Sequence, residues 1–233
     1  MDGISSDGTS HVGMMASPKT ADQSSSPRQP AKGARKKRRR YIVTVKTGDK
    51  GMGFELLNDK ALFADGPKLV APPPGQRGFR QYPEPPLFRA DPKLGRIDWD
   101  FEEYVGYWLI SDRMKAFLEN YDPDAFVFLK CKTQLPDGSE GPSRWLCDVV
   151  RVLDSLDEEK SEIRIKTADN GSKVYGFSGR VCFVFKEDVV GSAHVFRMKY
   201  AADVVICDDD LKRAYKASGL KGMRFRETDE YRK

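Results

Sequence analysis

Apolar and polar positions repeat one arrangement twice along this chain. Leu109-Ile110 gives way to Ser111-Asp112, and Met114, Phe117, Leu118 and Tyr121 then recur at i, i+3, i+4 and i+7. That spacing predicts a short strand followed by an amphipathic helix with one apolar stripe. Ser111 or Asp112 offers the side-chain acceptor that a helix start requires. Asp122-Pro123 stops the helix, and Phe126-Val127-Phe128-Leu129 returns as a strand. In the second copy Val204-Val205-Ile206 leads through Cys207-Asp208-Asp209-Asp210 to an inner stripe of Leu211, Ala214 and Tyr215. Gly219 stands where a left-handed C-terminal residue is wanted, and Met223-Arg224-Phe225-Arg226 reads as the last strand.

The other segments read mainly as β-structure. Tyr41-Ile42-Val43-Thr44-Val45 is β-branched and predicts the first strand. Arg144–Val152, Ser161–Lys166, Val174–Phe177, Arg180–Phe185 and Val195–Met198 are further strand candidates, with Asn170-Gly171 as hairpin chemistry and Arg180–Phe185 apolar enough to be central. Residues 66–96 hold more than half of the chain's 14 prolines. Proline fixes φ and removes a donor, so this stretch reads as a long surface loop and not as a central strand. Asp98–Tyr104 reads as one helical turn. The expected class is α+β: a mostly antiparallel β-sheet with about two principal helices in two strand-helix-strand units, preceded by a disordered N-terminal tail.

Charge sharpens that division. Residues 1–40 carry nine Lys/Arg against three Asp/Glu and almost no large apolar side chain. Such a segment cannot offset its ordering entropy, so 1–40 is expected to be a disordered basic tail and 41–233 a single α+β domain. Met14 and Met15 offer alternative starts, and either keeps Arg35–Arg40. The chain's net charge of +5 therefore belongs to the tail, and the remainder is close to neutral. Residues 35–40 can attract phosphates weakly and in a salt-dependent way, but no aromatic is interleaved to stack a base. No stretch approaches the length of about 20 apolar residues that a spanning helix needs, so no membrane is expected and the cytoplasm is the expected compartment.

The search for chemistry yields little. Cys131, Cys147, Cys182 and Cys207 are not paired at metal-ligand spacing and read as small buried hydrophobes. His11 lies in the tail, and His194 has no ligating neighbour in sequence. No nucleophile elbow, phosphate loop or zinc-protease motif occurs. No catalytic residue, metal or cofactor is therefore expected; Glu102, Asp157 and His194 are what an enzyme of unrecognised type would have to use. Two acidic clusters remain. Asp154–Ser161 reads equally as a solvated loop or as a contact surface for a basic partner, whereas Asp208–Asp210 suits the positive end of a helix.

In order and spacing, these residues resemble a known family. His194-Val195-Phe196-Arg197, Ile206-Cys207-Asp208, Leu211-Lys212 and Gly219-Leu220-Lys221-Gly222-Met223-Arg224-Phe225 look like the C-terminal signature of immunity family eleven of bacterial polymorphic toxin systems. Asp98-Trp99-Asp100, Leu109-Ile110-Ser111-Asp112 and Val152–Glu162 are similar to its other motifs, so the resemblance spans about residues 95–226. Where the family carries Ser this chain has Cys207, a poor cap, which leaves the capping to Asp208. The resemblance implies a non-enzymatic protein that neutralises a cognate toxin by direct binding. It implies structural roles for Asp98, Ser111, Asp112, Asp154, Ser161, Phe196, Arg197, Asp208, Gly219, Gly222 and Phe225. Candidate partner anchors are Trp99, Tyr104, Trp108, Asp157 and Glu158, with Trp108 in an apolar run also readable as core. The rival readings are a nucleic-acid-associated protein guided by the tail and an unrecognised enzyme.

Overall fold

The computed structural model describes residues 38–47, 51–62, 76–177 and 181–228. The tail expected to be disordered lies outside them up to residue 37. The elements are β1 (Arg40–Val45), β2 (Phe54–Leu56), α1 (Asp59–Leu62), β3 (Leu87–Ala90), β4 (Phe101–Tyr104), β5 (Tyr107–Ile110), α2 (Asp112–Tyr121), β6 (Phe126–Gln134), β7 (Arg144–Val149) and β8 (Val152–Leu153). They continue with β9 (Arg164–Thr167), β10 (Lys173–Gly176), α3 (Glu187–Val190), β11 (Val195–Met198), β12 (Ala201–Asp208), α4 (Asp209–Ser218) and β13 (Met223–Glu227). The class is α+β, and the two ten-residue helices α2 and α4 each sit between two strands, as the repeated pattern predicts.

The strands form two principal sheets where one was expected. One has five strands in the order β13-β1-β12-β11-β8, the other six in the order β2-β3-β6-β7-β5-β4, and β9 with β10 makes a separate hairpin. All named pairs are antiparallel except β11 with β8 and β3 with β6. The period of two along a strand explains how the layers assemble. In β1, Tyr41 and Val43 join a central core that also holds Trp108, Ile110, Met114, Leu118, Phe126, Val205, Leu211 and Tyr215. Ile42 points the other way, to a second core with Phe185, Phe196 and Ile206. In β5 the alternate residues Tyr107 and Leu109 enter a third core with Phe54, Phe88 and Leu146. Each sheet is thus covered on both faces.

Several expectations change at this level. Among the described residues the first strand begins at Arg40, one position before the expected run, and Arg40 is 4% exposed. Within the proline-rich stretch, Leu87–Ala90 forms an interior strand directly after Pro86, because proline can precede a strand without removing a ladder donor. Residues 66–75 of that stretch lie outside the described residues. Asp98–Tyr104 contains strand β4 and no helical turn. The run Arg144–Val152 is broken: β7 belongs to the six-stranded sheet and β8 to the five-stranded one, so the chain changes sheets at Val150-Arg151. Only Arg164–Thr167 of the run expected from Ser161 is a strand. The segment Val181–Phe185 is no central strand; it contributes the isolated bridges Glu162–Cys182 and Leu156–Phe185 and fills the second core with Val181, Phe183 and Phe185.

Candidate partner-binding surface

The two helix starts carry the caps their sequences imply. Ser111 Oγ accepts from the Met114 amide at 3.2 Å and Asp208 Oδ1 from the Leu211 amide at 3.0 Å. Asp208 is therefore the cap in place of Cys207, which is fully buried. Gly219 ends α4 with φ 69°.

Asp100 joins the two strand-helix-strand units. It is 5% exposed; its Oδ1 accepts from Ser111 Oγ at 2.7 Å and its Oδ2 from the Lys221 amide at 2.9 Å. Its own amide donates to the Lys221 carbonyl at 3.0 Å. Gly222 completes the junction. A Cβ there would lie 2.2 Å from the Phe101 carbonyl oxygen, and φ is +115°, so the approach admits glycine alone. Of the flanking motif residues, Asp98 is exposed, 3.9 Å from Lys221 Nζ, and Phe225 stacks edge-on against Tyr215.

Arg197 ties the two sheets. It rises from β11 and is 2% exposed, and its guanidinium donates to the carbonyls of Val149, Ala202 and Gly106 at 3.0, 2.7 and 3.0 Å. It also lies 3.3 Å from Asp148, a fully buried carboxylate that accepts from the Gly78 amide and pairs with Arg77. Burial lowers both guanidinium pKa values to about 10, and for Arg77 the neighbouring Arg197 adds to this. Phe196, the adjacent motif residue, is wholly buried in the second core.

Of the candidate anchors, Trp99 is half-buried under the Arg96 guanidinium, 3.7 Å from its ring centroid. Tyr104 is half-buried, edge-on to Phe88, and burial raises its hydroxyl. Trp108 is 4% exposed in the central core, so it packs the sheets together and offers no outer surface. A β5 strand covered on both faces leaves no outward side for it.

Asp157 and Glu158 lie in the loop after β8. Asp157 accepts from Lys160 Nζ at 2.6 Å, and Glu158 accepts from Lys173 and Tyr175, both in β10. Hydrogen bonds to Lys160, and to Lys173 then Tyr175, hold these carboxyls below their ordinary values. The acidic loop is thus an anchor for the β9–β10 hairpin. Asp154 lies 3.6 Å from Lys186 and 3.9 Å from Lys199, while Ser161 Oγ accepts from the Val184 amide at 2.9 Å. Asp112 is exposed and accepts from Trp145 Nε1 at 2.6 Å.

The residues named for an unrecognised enzyme are engaged separately. Glu102 lies 3.4 Å from Arg96, Asp157 binds Lys160, and His194 Nδ1 lies 2.7 Å from Asp208 Oδ2. Burial raises the Glu102 carboxyl. Among the described residues, His194, Asp208 and Asp210 bring ligand-type atoms within 4.8 Å of one another. Asp208 already caps α4 and holds His194, and Asp210 pairs with Arg213, so those atoms serve the fold.

A cleft of about 110 Å³ is lined by Arg38, Arg39, Arg40, Phe183, Phe185, Glu187 and Glu227. Arg40 donates to Glu187 at 2.8 Å and lies 5.4 Å from the Phe185 ring centroid, while its Nε and Nη1 have no hydrogen-bond partner. The acids among the lining offset the arginines.

Two sheets covered on both faces are held together by the buried polar junctions at Asp100 and Arg197. The profile of the Immunity protein family (Imm11) matches residues 40–230, and the chain belongs to this family. The match reaches further than the stretch of about 95–226 on which the resemblance was read, and takes in β1 and the proline-rich segment. No curated protein matches the chain. Among the described residues, no helix is long and apolar enough to cross a membrane.

Proposed function

We propose that this protein neutralises a cognate toxic effector by binding it directly, without turnover, and that residues 41–233 act as one domain in doing so. Family membership over residues 40–230 carries the reading. Trp99, Tyr104, Asp157 and Glu158 are the sequence-derived anchors that keep side-chain surface within reach of a partner. Trp99 combines an aromatic face with an Arg cation, a composition enriched in interface hot spots. The cytoplasm is where such an antidote would meet an incoming effector.

The test is coexpression with the product of the adjacent gene. That product alone should arrest growth, growth should resume when this chain is supplied, and the two should copurify as a stoichiometric complex. Toxicity that persists at full expression of this chain overturns the reading.

A further inference from the structure

Among the described residues, the outer edge of β9 in the β9–β10 hairpin is paired with no other strand. Its register places Thr167 opposite Lys173, Lys166 opposite Val174, Ile165 opposite Tyr175 and Arg164 opposite Gly176. In an antiparallel pair, successive rungs alternate between bonded and non-bonded. Two bonds fix which is which. The Tyr175 amide donates to the Tyr200 carbonyl at 2.8 Å, so it faces away from β9. Beyond the strand end, the Ala168 amide donates to the Ser172 carbonyl at 2.9 Å, a bonded rung of the same phase. Ile165 and Thr167 therefore direct their N–H and C=O groups outward, away from β10. No described residue takes up their amides. All four residues of β9 are exposed, Ile165 to 50%.

We propose that this edge is the seat of the effector: an extended segment of it, bearing acidic side chains, adds to β9 by main-chain pairing. The inference rests on the binding function proposed above and names the surface and chemistry of that interaction. Backbone groups at Ile165 and Thr167 supply the ladder, and alternate side chains set the specificity. Arg164 and Lys166 flank Ile165, and no acid occurs from Ile163 to Ala168. A second copy of this chain would set like charges against each other across the new pair, which disfavours self-pairing. An acidic strand meets them with opposite charge, and an apolar side chain on it covers Ile165. The hairpin is held ready by Tyr175, 5% exposed in the second core, and by the Glu158–Lys173 pair. A two-stranded sheet is marginal by itself, so a third strand adds stability as well as contact.

The experiment uses the full chain and the effector encoded by the adjacent gene. Thr167→Pro removes an outward donor without touching a bond to β10, and Lys166→Glu reverses the charge. Both variants should keep the wild-type circular dichroism spectrum and melting temperature. Each should weaken effector binding about tenfold or more, the loss expected when an interface hot spot is removed. Lys166→Arg should bind like wild type. In hydrogen exchange, complex formation should slow the Ile165 and Thr167 amides most, with a smaller slowing at Arg164 and Lys166 as the hairpin is stabilised. Wild-type affinity in both folded variants, or unchanged exchange at Ile165 and Thr167 in a formed complex, overturns the edge and leaves the immunity function standing. An effector that wild-type protein neither binds nor neutralises overturns both.

Discussion

Val105 holds the least comfortable backbone among the described residues. It turns β4 into β5 with φ 46°, next to Gly106 at φ 82°, in a two-residue loop closed by Tyr104 and Tyr107. A β-branched side chain is disfavoured in that left-handed region, where Asn-Gly is the preferred pair. The Val105 side chain is 44% exposed and contributes little packing. Replacing Val105 with Asn is therefore expected to stabilise the protein by about 1 kcal/mol, read as a higher calorimetric melting temperature. Strain at Val105 was not legible in Tyr104-Val105-Gly106-Tyr107, which lacks the usual turn residues at its first central position. Asp208 shows the opposite case. Its capping role was read from Cys207 standing where the family resemblance has Ser, since the chemistry of a helix start is local. Gly222 stands between these: the residue was visible, but its reason is the Phe101 carbonyl, more than a hundred positions away in the chain.

At the scale of elements, the hairpin and its acidic anchor form a unit that should respond to pH. Lys173 and Tyr175 hold the Glu158 carboxyl below its ordinary value, so the folded state binds this proton less readily than the unfolded state. A depressed carboxyl contributes stability that is fully present above its unfolded value of about 4.3 and is lost as pH falls through the folded value. The β9–β10 amide resonances should accordingly be constant near neutrality and shift together below about pH 4. Glu158→Gln should abolish that transition in an NMR titration while leaving the signals of α2 and α4 in place. Helix existence and limits followed from the 3.6-residue stripe, because both helices bury one face only. Strand limits were less legible. The apolar run through Val152 does not reveal that Val150 and Arg151 leave one sheet for the other, since both sheets bury their strands and write the same composition into the chain.

At the scale of the molecule, Arg197 and Asp148 couple the sheets. Arg197→Met leaves the carbonyls of Val149, Ala202 and Gly106 without their donor, and Asp148→Ala leaves the buried Arg197 and the half-buried Arg77 guanidinium without this counter-charge. Breaking a buried pair from either side is expected to lower stability by about 3–5 kcal/mol, measured as a shift of the urea unfolding midpoint. The double variant should lose less than the two single losses combined, because one network is removed once.

By itself the amino-acid order determined the α+β class, the two strand-helix-strand units, a polar side chain to cap each helix, and the family resemblance. These depend on neighbours within a turn or two, where spacing maps directly onto a face. Tertiary structure alone decided that there are two sheets, that Trp108 is core, that Glu158 anchors a hairpin, and that the Ile165 and Thr167 amides point outward. Each depends on groups distant in sequence, and a residue type does not encode which carbonyl, carboxylate or open edge the folded chain will set beside it.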